Sequence, residues 1–393
     1  MIHASERCRT RPASGIRAMS ELAAKMDDVL HLGIGEPDFS VSASVTEALK
    51  KAADAGKTKY TPTAGIPELR AAIARKLKRE NGIDADASSV LVCHGASEAI
   101  MAALLGITDP GDEVLAPDPS WPNYQGQIHM AGCKAVFYPL LEKDKFHATA
   151  EQIEQHLSPK TRLQILNSPS NPTGGVTTRD ELLDIAELVR THNLAVLSDE
   201  PYEKLLYDGA THVSIGSLPR MQDHVFTVNT MSKTYAMTGL RVGYVQGPLQ
   251  AMGPIVRIQE GFSSCVNTPA QWAALEALEG SQDYVAEMRE TYARRRKILF
   301  DGLNALPGVS CLAPEGAFYA FPNVSRLGKS QDVAMDWLQR AKVFGVPGSA
   351  FGKAGEGFIR ICFAVSESVI REALSRVSGI LTSGAGPEGI KTR

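Results

Sequence analysis

What this sequence lacks narrows the field before any motif is read. No apolar run approaches the length of a membrane span; the longest candidates, such as AIMAALLGI from Ala99, have the length of a core helix, so no membrane partner is expected. Charge of one sign is missing too. The 41 Lys and Arg against 44 Asp and Glu leave a formal net charge of -3, which offers no electrostatic footprint for nucleic acid. Cysteines stand at 8, 93, 133, 265, 311 and 362, with no CxxC spacing. Most have apolar neighbours and read as small core residues in a reducing, cytoplasmic compartment, without disulfides or a structural metal. Arginines at 7, 9, 11 and 17 carry no apolar stretch behind them, so no secretory leader is read there.

What is present is enough chain for two cores. At 393 residues the sequence exceeds one ordinary core and implies a large domain with a smaller companion. Residues 1–45 read as an N-terminal arm and part of the small domain, with an amphipathic helix marked by Ile16, Met19, Leu22, Ala23 and Met26. Residues 46–290 form the large domain, 291–382 the C-terminal small domain, and 383–393 a Gly- and Pro-containing disordered tail. Helical periodicity covers 45–55 and 66–80, the second opening on Pro67. Short apolar runs at 90–93, 113–116, 135–138, 163–166 and 194–197 then alternate with helical stretches. That alternation predicts an α/β fold whose mostly parallel sheet lies between helices, with ligands beyond the carboxyl ends of the strands. A charged helix from Asp283 to near Pro307 leads to a smaller α+β region with strands at 316–321 and 358–363. Its run 294–297 (RRRK) reads as a solvated or interdomain face.

The polar clusters fall where such a sheet would put ligands. After the apolar stretch from Val225 come Thr230, Ser232 and Lys233, then Gly239 and Arg241. A lysine at the mouth of a buried strand can hold an aldehyde cofactor as a Schiff base, while the hydroxyls and the arginine hold its phosphate. A Ser-Lys pair on its own also fits a solvated turn. In HGASEAI, Gly95 permits close approach and Ala96 and Ser97 open a helix, which makes a phosphate seat or an ordinary cap. Asn171, in NSPSNPTGG, can hydrogen-bond a phenolic oxygen, although Asn-Pro-x-Gly is also a common turn. Asp199 ends a buried strand, where a carboxylate needs a cationic partner such as a pyridinium N–H. Tyr202, three residues on, can reach the same ring's oxygen, whereas Glu200 and Glu203 read as structural. Trp121 can stack on a flat ring or simply pack. Arg360 interrupts an apolar strand and calls for a carboxylate, from protein or from substrate.

With these clusters set out, the chain from about Ser14 to Ala364 resembles the class I/II aminotransferases, pyridoxal-phosphate enzymes of fold type I. LGIGEPDF, YTPTAGIPELR, GASEAI, DPGDEV, NSPSNPTGG, SDEPY, SKTYAMTGLRVGY and GFIRICFA occur in the family's order. The resemblance implies that Lys233 forms the Schiff base and shuttles the proton at substrate Cα. It implies that Asp199 pairs with the pyridine nitrogen, Asn171 and Tyr202 with the ring oxygen, and that Trp121 stacks on the ring. Gly95, Ala96, Ser97, Thr230, Ser232 and Arg241 would hold the phosphate, with Tyr60 reaching it from the second subunit of a homodimer. Arg360 would grip the substrate α-carboxylate, with Gly35 and Asn171.

Some positions depart from the family pattern. A lysine that helps select acidic substrates in one subgroup is Ser97 here; SVSAS after Phe39 lacks a usual proline; and Thr230 replaces a common serine. Ser14, Gly15, Ile16 and Arg17 match a segment that closes over the substrate side chain, where Arg17 either meets an acidic group or is solvated. The expected reaction is ping-pong transfer of an amino group between an L-amino acid and a 2-oxo acid. The alternatives on the same scaffold are β- or γ-elimination, replacement or oxidation. A ligand-sensing regulator is disfavoured, since about 30 residues before LGIGEPDF leave no room for a DNA-binding module.

Overall fold

In the computed structural model, residues 3–10 and 15–383 are described. The strands in chain order are β1 (Leu30–His31), β2 (Val90–Cys93), β3 (Glu113–Asp118), β4 (Lys134–Pro139), β5 (Thr161–Asn167), β6 (Ala195–Asp199), β7 (Val225–Thr230), β8 (Gly243–Gln246), β9 (Tyr319–Ala320), β10 (Val343–Phe344), β11 (Val346–Pro347) and β12 (Ile359–Cys362). Seven of them make one sheet in the order β2-β8-β7-β6-β5-β3-β4, in which only β8 runs antiparallel to its neighbours.

Strand alternation explains why helices cover both faces. Successive side chains point to opposite sides. On β3, Val114 and Ala116 join a buried cluster with Ala99, Ile100, Ala103 and Leu104 of helix Gly95–Ile107. Leu115 between them points the other way, into a cluster with Leu182, Ile185 and Val189 of helix Arg179–Thr191. Val196 and Leu197 of β6 divide in the same manner. The result is the helix–sheet–helix arrangement that near-continuous apolar strands require.

A second, smaller layer is built from β11-β12-β9, antiparallel throughout, and from β1 paired in parallel with β10. The chain's early segment thus lies on its late one. Helix Asp283–Asn304 turns Met288, Tyr292, Leu299 and Leu303 into the core at helical spacing. Its charged run is less solvated than a surface reading would have it. Arg295 is buried and pairs with Asp38 at 2.8 Å, and Arg296 is buried with Pro314 O and Asp208 as partners. The 230s also differ from a plain turn: Met231–Thr234 is one helical turn, capped by Thr230 Oγ1 accepting from Ser232 N. The tail from 384 on lies outside the described residues, as does Ser14, together with the side chains of Ile16 and Arg17.

Candidate active site

The sheet order brings the scattered clusters to one edge. β2, β3, β5, β6 and β7 are parallel, so His94, Trp121, Asn171, Asp199 and Lys233 all follow carboxyl ends on the same side. Because β8 is antiparallel, Arg241 just before it lies on that side as well. The small layer closes over this edge and supplies Arg360 from β12. Between them is a cavity of about 490 Å³, lined by Lys233, Asp199, Tyr202, Asn171, Trp121 and Arg360 among others.

Lys233 Nζ donates to Gly35 O at 2.7 Å, across 198 residues of sequence. Burial pushes its amine down to about 8 against the opposing pull of Cys362 and Glu36, with Arg360 and Arg241 adding smaller pushes in the direction of burial. A substantial neutral fraction near physiological pH suits a nucleophile or a base.

Asp199 is raised to about 7, first by burial and secondarily by Glu200, with Tyr124 and Lys233 pulling it back down. Tyr124 Oη donates to Asp199 Oδ2 at 2.5 Å. Asp199 Oδ1, equally buried, has no partner among the described residues. Such an orphaned acceptor at a cavity wall fits a bound N–H cation. Asn167 ties the neighbouring loop to the end of this strand: its Nδ2 donates to the Asp199 backbone carbonyl and its Oδ1 accepts from Asn171 N, both at 2.9 Å.

The other end of the cavity is a cradle for an anion. Helix Gly95–Ile107 opens there without a side-chain cap, leaving first-turn N–H groups of Ala96 and Ser97 toward the cavity they line. Gly95 has φ +75, and a Cβ on it would lie 2.6 Å from Arg241 Nη2. Glycine therefore lets the guanidinium lie flat on the helix start, where Nη2 donates to His94 O at 3.4 Å and Nη1 to Thr238 O at 2.9 Å. Thr230 Oγ1 and Ser232 Oγ are 2.9 Å apart beside it.

Arg360 is buried without a carboxylate partner among the described residues. Nη1 donates to Asn171 Oδ1 at 2.9 Å, Nη2 to Gly33 O at 2.7 Å, and Nε has no partner among the described residues. A guanidinium offered only neutral acceptors retains capacity for an anionic ligand. Glu200 and Glu203 do have a structural environment. Glu203 pairs with buried Lys76 and accepts from Asn81 at 2.6 Å, while Glu200 accepts from Ser198, Ser214 and His212.

Of the expected residues, Gly95 stands behind the cradle and Tyr60 is outside the cavity, 91 % exposed. The others line it. Among the lining residues the sequence reading missed are Tyr124 and Tyr319, whose hydroxyls reach Asp199 and Tyr202. Tyr124 lies at the start of helix Asn123–Met130, three residues after Trp121, where nothing local marks its hydroxyl. Tyr319 sits in an apolar run, GAFYAF, that reads as plain core.

Comparison with known proteins shows the family. The model of the family "Aminotransferase class I and II" matches residues 27–377. An aspartate aminotransferase of Pyrococcus abyssi is 42% identical over 94% of this chain and 95% of its own length. Aromatic-amino-acid aminotransferase 2 of Thermococcus litoralis is 40% identical over 96% and 98%. Among solved structures, the aspartate aminotransferase of Thermus thermophilus with maleate superposes with a TM-score of 0.93, at 37% identity, covering 97% of this chain and 100% of that one. Relatives so named, matched over nearly their whole length, favour amino transfer over elimination, replacement or oxidation. The chain belongs to the class I and II aminotransferases, transferases of the fold-type I architecture.

Proposed function

We propose that this aminotransferase binds pyridoxal 5'-phosphate in the 490 Å³ cavity and moves an amino group between an L-amino acid and a 2-oxo acid in two half-reactions. The observation that carries the reading is the pairing of a lysine amine pushed down to about 8 with the orphaned Asp199 Oδ1 in one cavity. When bound, the cofactor supplies an electron sink for the charge left on substrate Cα.

The chain's own residues then divide the work. Lys233 Nζ would hold the cofactor and would serve as the base that takes the proton from substrate Cα. Asp199 holds the ring nitrogen in its protonated state, and Tyr124 keeps that carboxyl in place. Tyr202 and Asn171 meet the ring oxygen, and Trp121 covers a ring face. Ala96, Ser97, Thr230, Ser232 and Arg241 take the phosphate, with Gly95 keeping the space open. Arg360, aided by Asn171 and the Gly35 backbone, binds the substrate α-carboxylate.

Tyr60, exposed in the single chain, would reach the phosphate of a second subunit in a homodimer. Residues 46–290 would act as the cofactor-holding body, with 1–45 and 291–382 as the part that closes on substrate. Six free cysteines and no helix long and apolar enough to cross a membrane, among the described residues, support a cytoplasmic location. The test is an absorbance scan of cofactor-loaded protein against an amino-acid panel that includes aspartate and the aromatic residues. Loss of the visible band on adding amino acid, and its return with a 2-oxo acid, is the expected result and identifies the side-chain class. Release of a side-chain fragment without that reversal would overturn amino transfer.

A further inference from the structure

We infer that Tyr319 is a positioning residue, the donor that orients and strengthens the Tyr202 hydroxyl toward the cofactor ring oxygen under the influence of the Arg360 guanidinium. This rests on the reading that Tyr202 meets that oxygen.

Tyr202 Oη and Tyr319 Oη are 3.0 Å apart, and both residues are buried, at 3% and 1% exposure. A phenol has one proton to give and lone pairs to receive. If Tyr202 gives its proton to an anionic ring oxygen, its own oxygen must accept, and the neighbour in place to donate is Tyr319. The sequence Tyr319 to Tyr202 to ring oxygen is then a chain in which each bond polarises the next.

The surroundings hold Tyr319 in that role. β9 pairs with β12, setting Tyr319 opposite Cys362, two residues from Arg360. The Arg360 guanidinium carbon lies 4.6 Å from the centre of the Tyr319 ring, a cation over an aromatic face that makes the phenol a better donor. Phe318 and Tyr202 meet its ring edge-on at 4.8 and 5.7 Å. A Cβ on Gly35 would lie 2.2 Å from Tyr319 Oη, so glycine at 35 is what admits the hydroxyl there. One tyrosine thereby touches the loop held by Lys233, the carboxylate-binding arginine and the ring-oxygen tyrosine. Arg360 and Cys362 on β12, Asp199 on β6, Tyr124, and Lys233 after β7 are the charged or titratable groups facing the pair.

The experiment is a pH titration of the visible absorbance of cofactor-loaded protein for wild type, Tyr202→Phe, Tyr319→Phe and the double variant. A donor aimed at the ring oxygen favours the form that has lost its proton, so removing it raises the midpoint. Tyr202→Phe should raise it, and Tyr319→Phe should raise it by a smaller step of about 0.2–0.5 unit, given a cooperative strengthening of roughly 10–30% per bond. In the Tyr202→Phe background the second change should move nothing. An equal step in both backgrounds, or an unchanged or lowered midpoint in Tyr319→Phe alone, would overturn the inference and leave the Tyr202 reading standing. An unmoved midpoint in Tyr202→Phe would remove both. Should Tyr319→Phe not fold, 3-fluorotyrosine at 319 preserves the ring and is a stronger donor; it must lower the midpoint, and a rise or no change would refute the proposal.

Discussion

Tyr124 Oη donates to one oxygen of Asp199 at 2.5 Å while the other oxygen of the same carboxyl is buried and, among the described residues, unpartnered. The carboxyl is therefore held on one side and available on the other, and this asymmetry sets the first prediction. Tyr124→Phe removes the main group pulling the Asp199 pKa down, so the carboxyl becomes harder to ionise. A hydrogen bond to a charged group contributes roughly 1.5–3 kcal/mol, so kcat/KM should fall by about 10- to 100-fold. The acid limb of its pH profile should move upward, and an unmoved limb would count against the role.

Asp199 also stores instability in the cofactor-free protein. Its folded pKa of about 7 lies above the ordinary 3.8, so the folded form binds more protons between those values and loses stability as pH rises through them. Asp199→Asn should raise the melting temperature of the cofactor-free protein at pH 8 and change it little near pH 4, measured by calorimetry. The same variant should bind the cofactor less tightly, because its side chain no longer offers an anion to the ring nitrogen.

For Lys233 the sign is opposite. An amine pushed down to about 8 is neutral over a range where the unfolded chain's lysine is charged, so its contribution to stability rises with pH from about 8 toward 10.5. Lys233→Ala should remove that dependence and lower turnover by at least about 100-fold, the lower range for loss of a positioned base. Normal turnover in steady-state assays would exclude the assigned role.

Gly95 offers a test of the anion cradle. At φ +75 with Arg241 Nη2 2.6 Å from any added Cβ, Gly95→Ala must strain the backbone and displace the guanidinium. A cost of about 1–2 kcal/mol is expected for the left-handed conformation alone. Cofactor affinity, titrated by fluorescence, should drop more than the affinity for the amino-acid substrate, whose proposed place is at the Arg360 end.

His147 joins the two layers through charge. Its Nδ1 meets Glu181 at 3.1 Å and its Nε2 meets Glu315 at 2.6 Å. Burial pulls its pKa down, but the two carboxylates outweigh it and the net shift is upward. The stabilisation is thus complete below the unfolded pKa near 6.5 and is lost as pH rises through the higher folded value. His147→Gln should destabilise by about 1–2 kcal/mol at pH 6 and by less at pH 9, measured by urea unfolding. A pH-independent difference would show that packing alone is at stake.

Much of this site was legible because its residues sit next to strong local signals. Lys233, Asp199 and Asn171 each follow an apolar run broken by polar or Gly/Pro residues, and in a parallel sheet all such breaks face one edge. Gly95 announces a helix start, and Arg360 stands alone in an apolar strand. The structure realises those positions without local surprise, apart from the extra helical turn at 231–234.

Other features have no local sign. Arg295 and Arg296 belong to a run that reads as either a solvated or an interdomain face, and only the long-range partners Asp38 and Asp208 decide that they lie inside. Tyr124 meets Asp199 across 75 positions, and Tyr319 meets Tyr202 across 117. Nothing in a tyrosine's immediate neighbours distinguishes a packed ring from one whose hydroxyl has a task.

The amino-acid sequence by itself determined which residues end strands and open helices here, since periodicity and turn chemistry act over a few residues. Only the tertiary structure decided which oxygens are paired, which are orphaned and which way each pKa moves. Those depend on the β2-β8-β7-β6-β5-β3-β4 order and on burial by the β9–β12 layer, quantities that exist only once distant segments exclude water from one another.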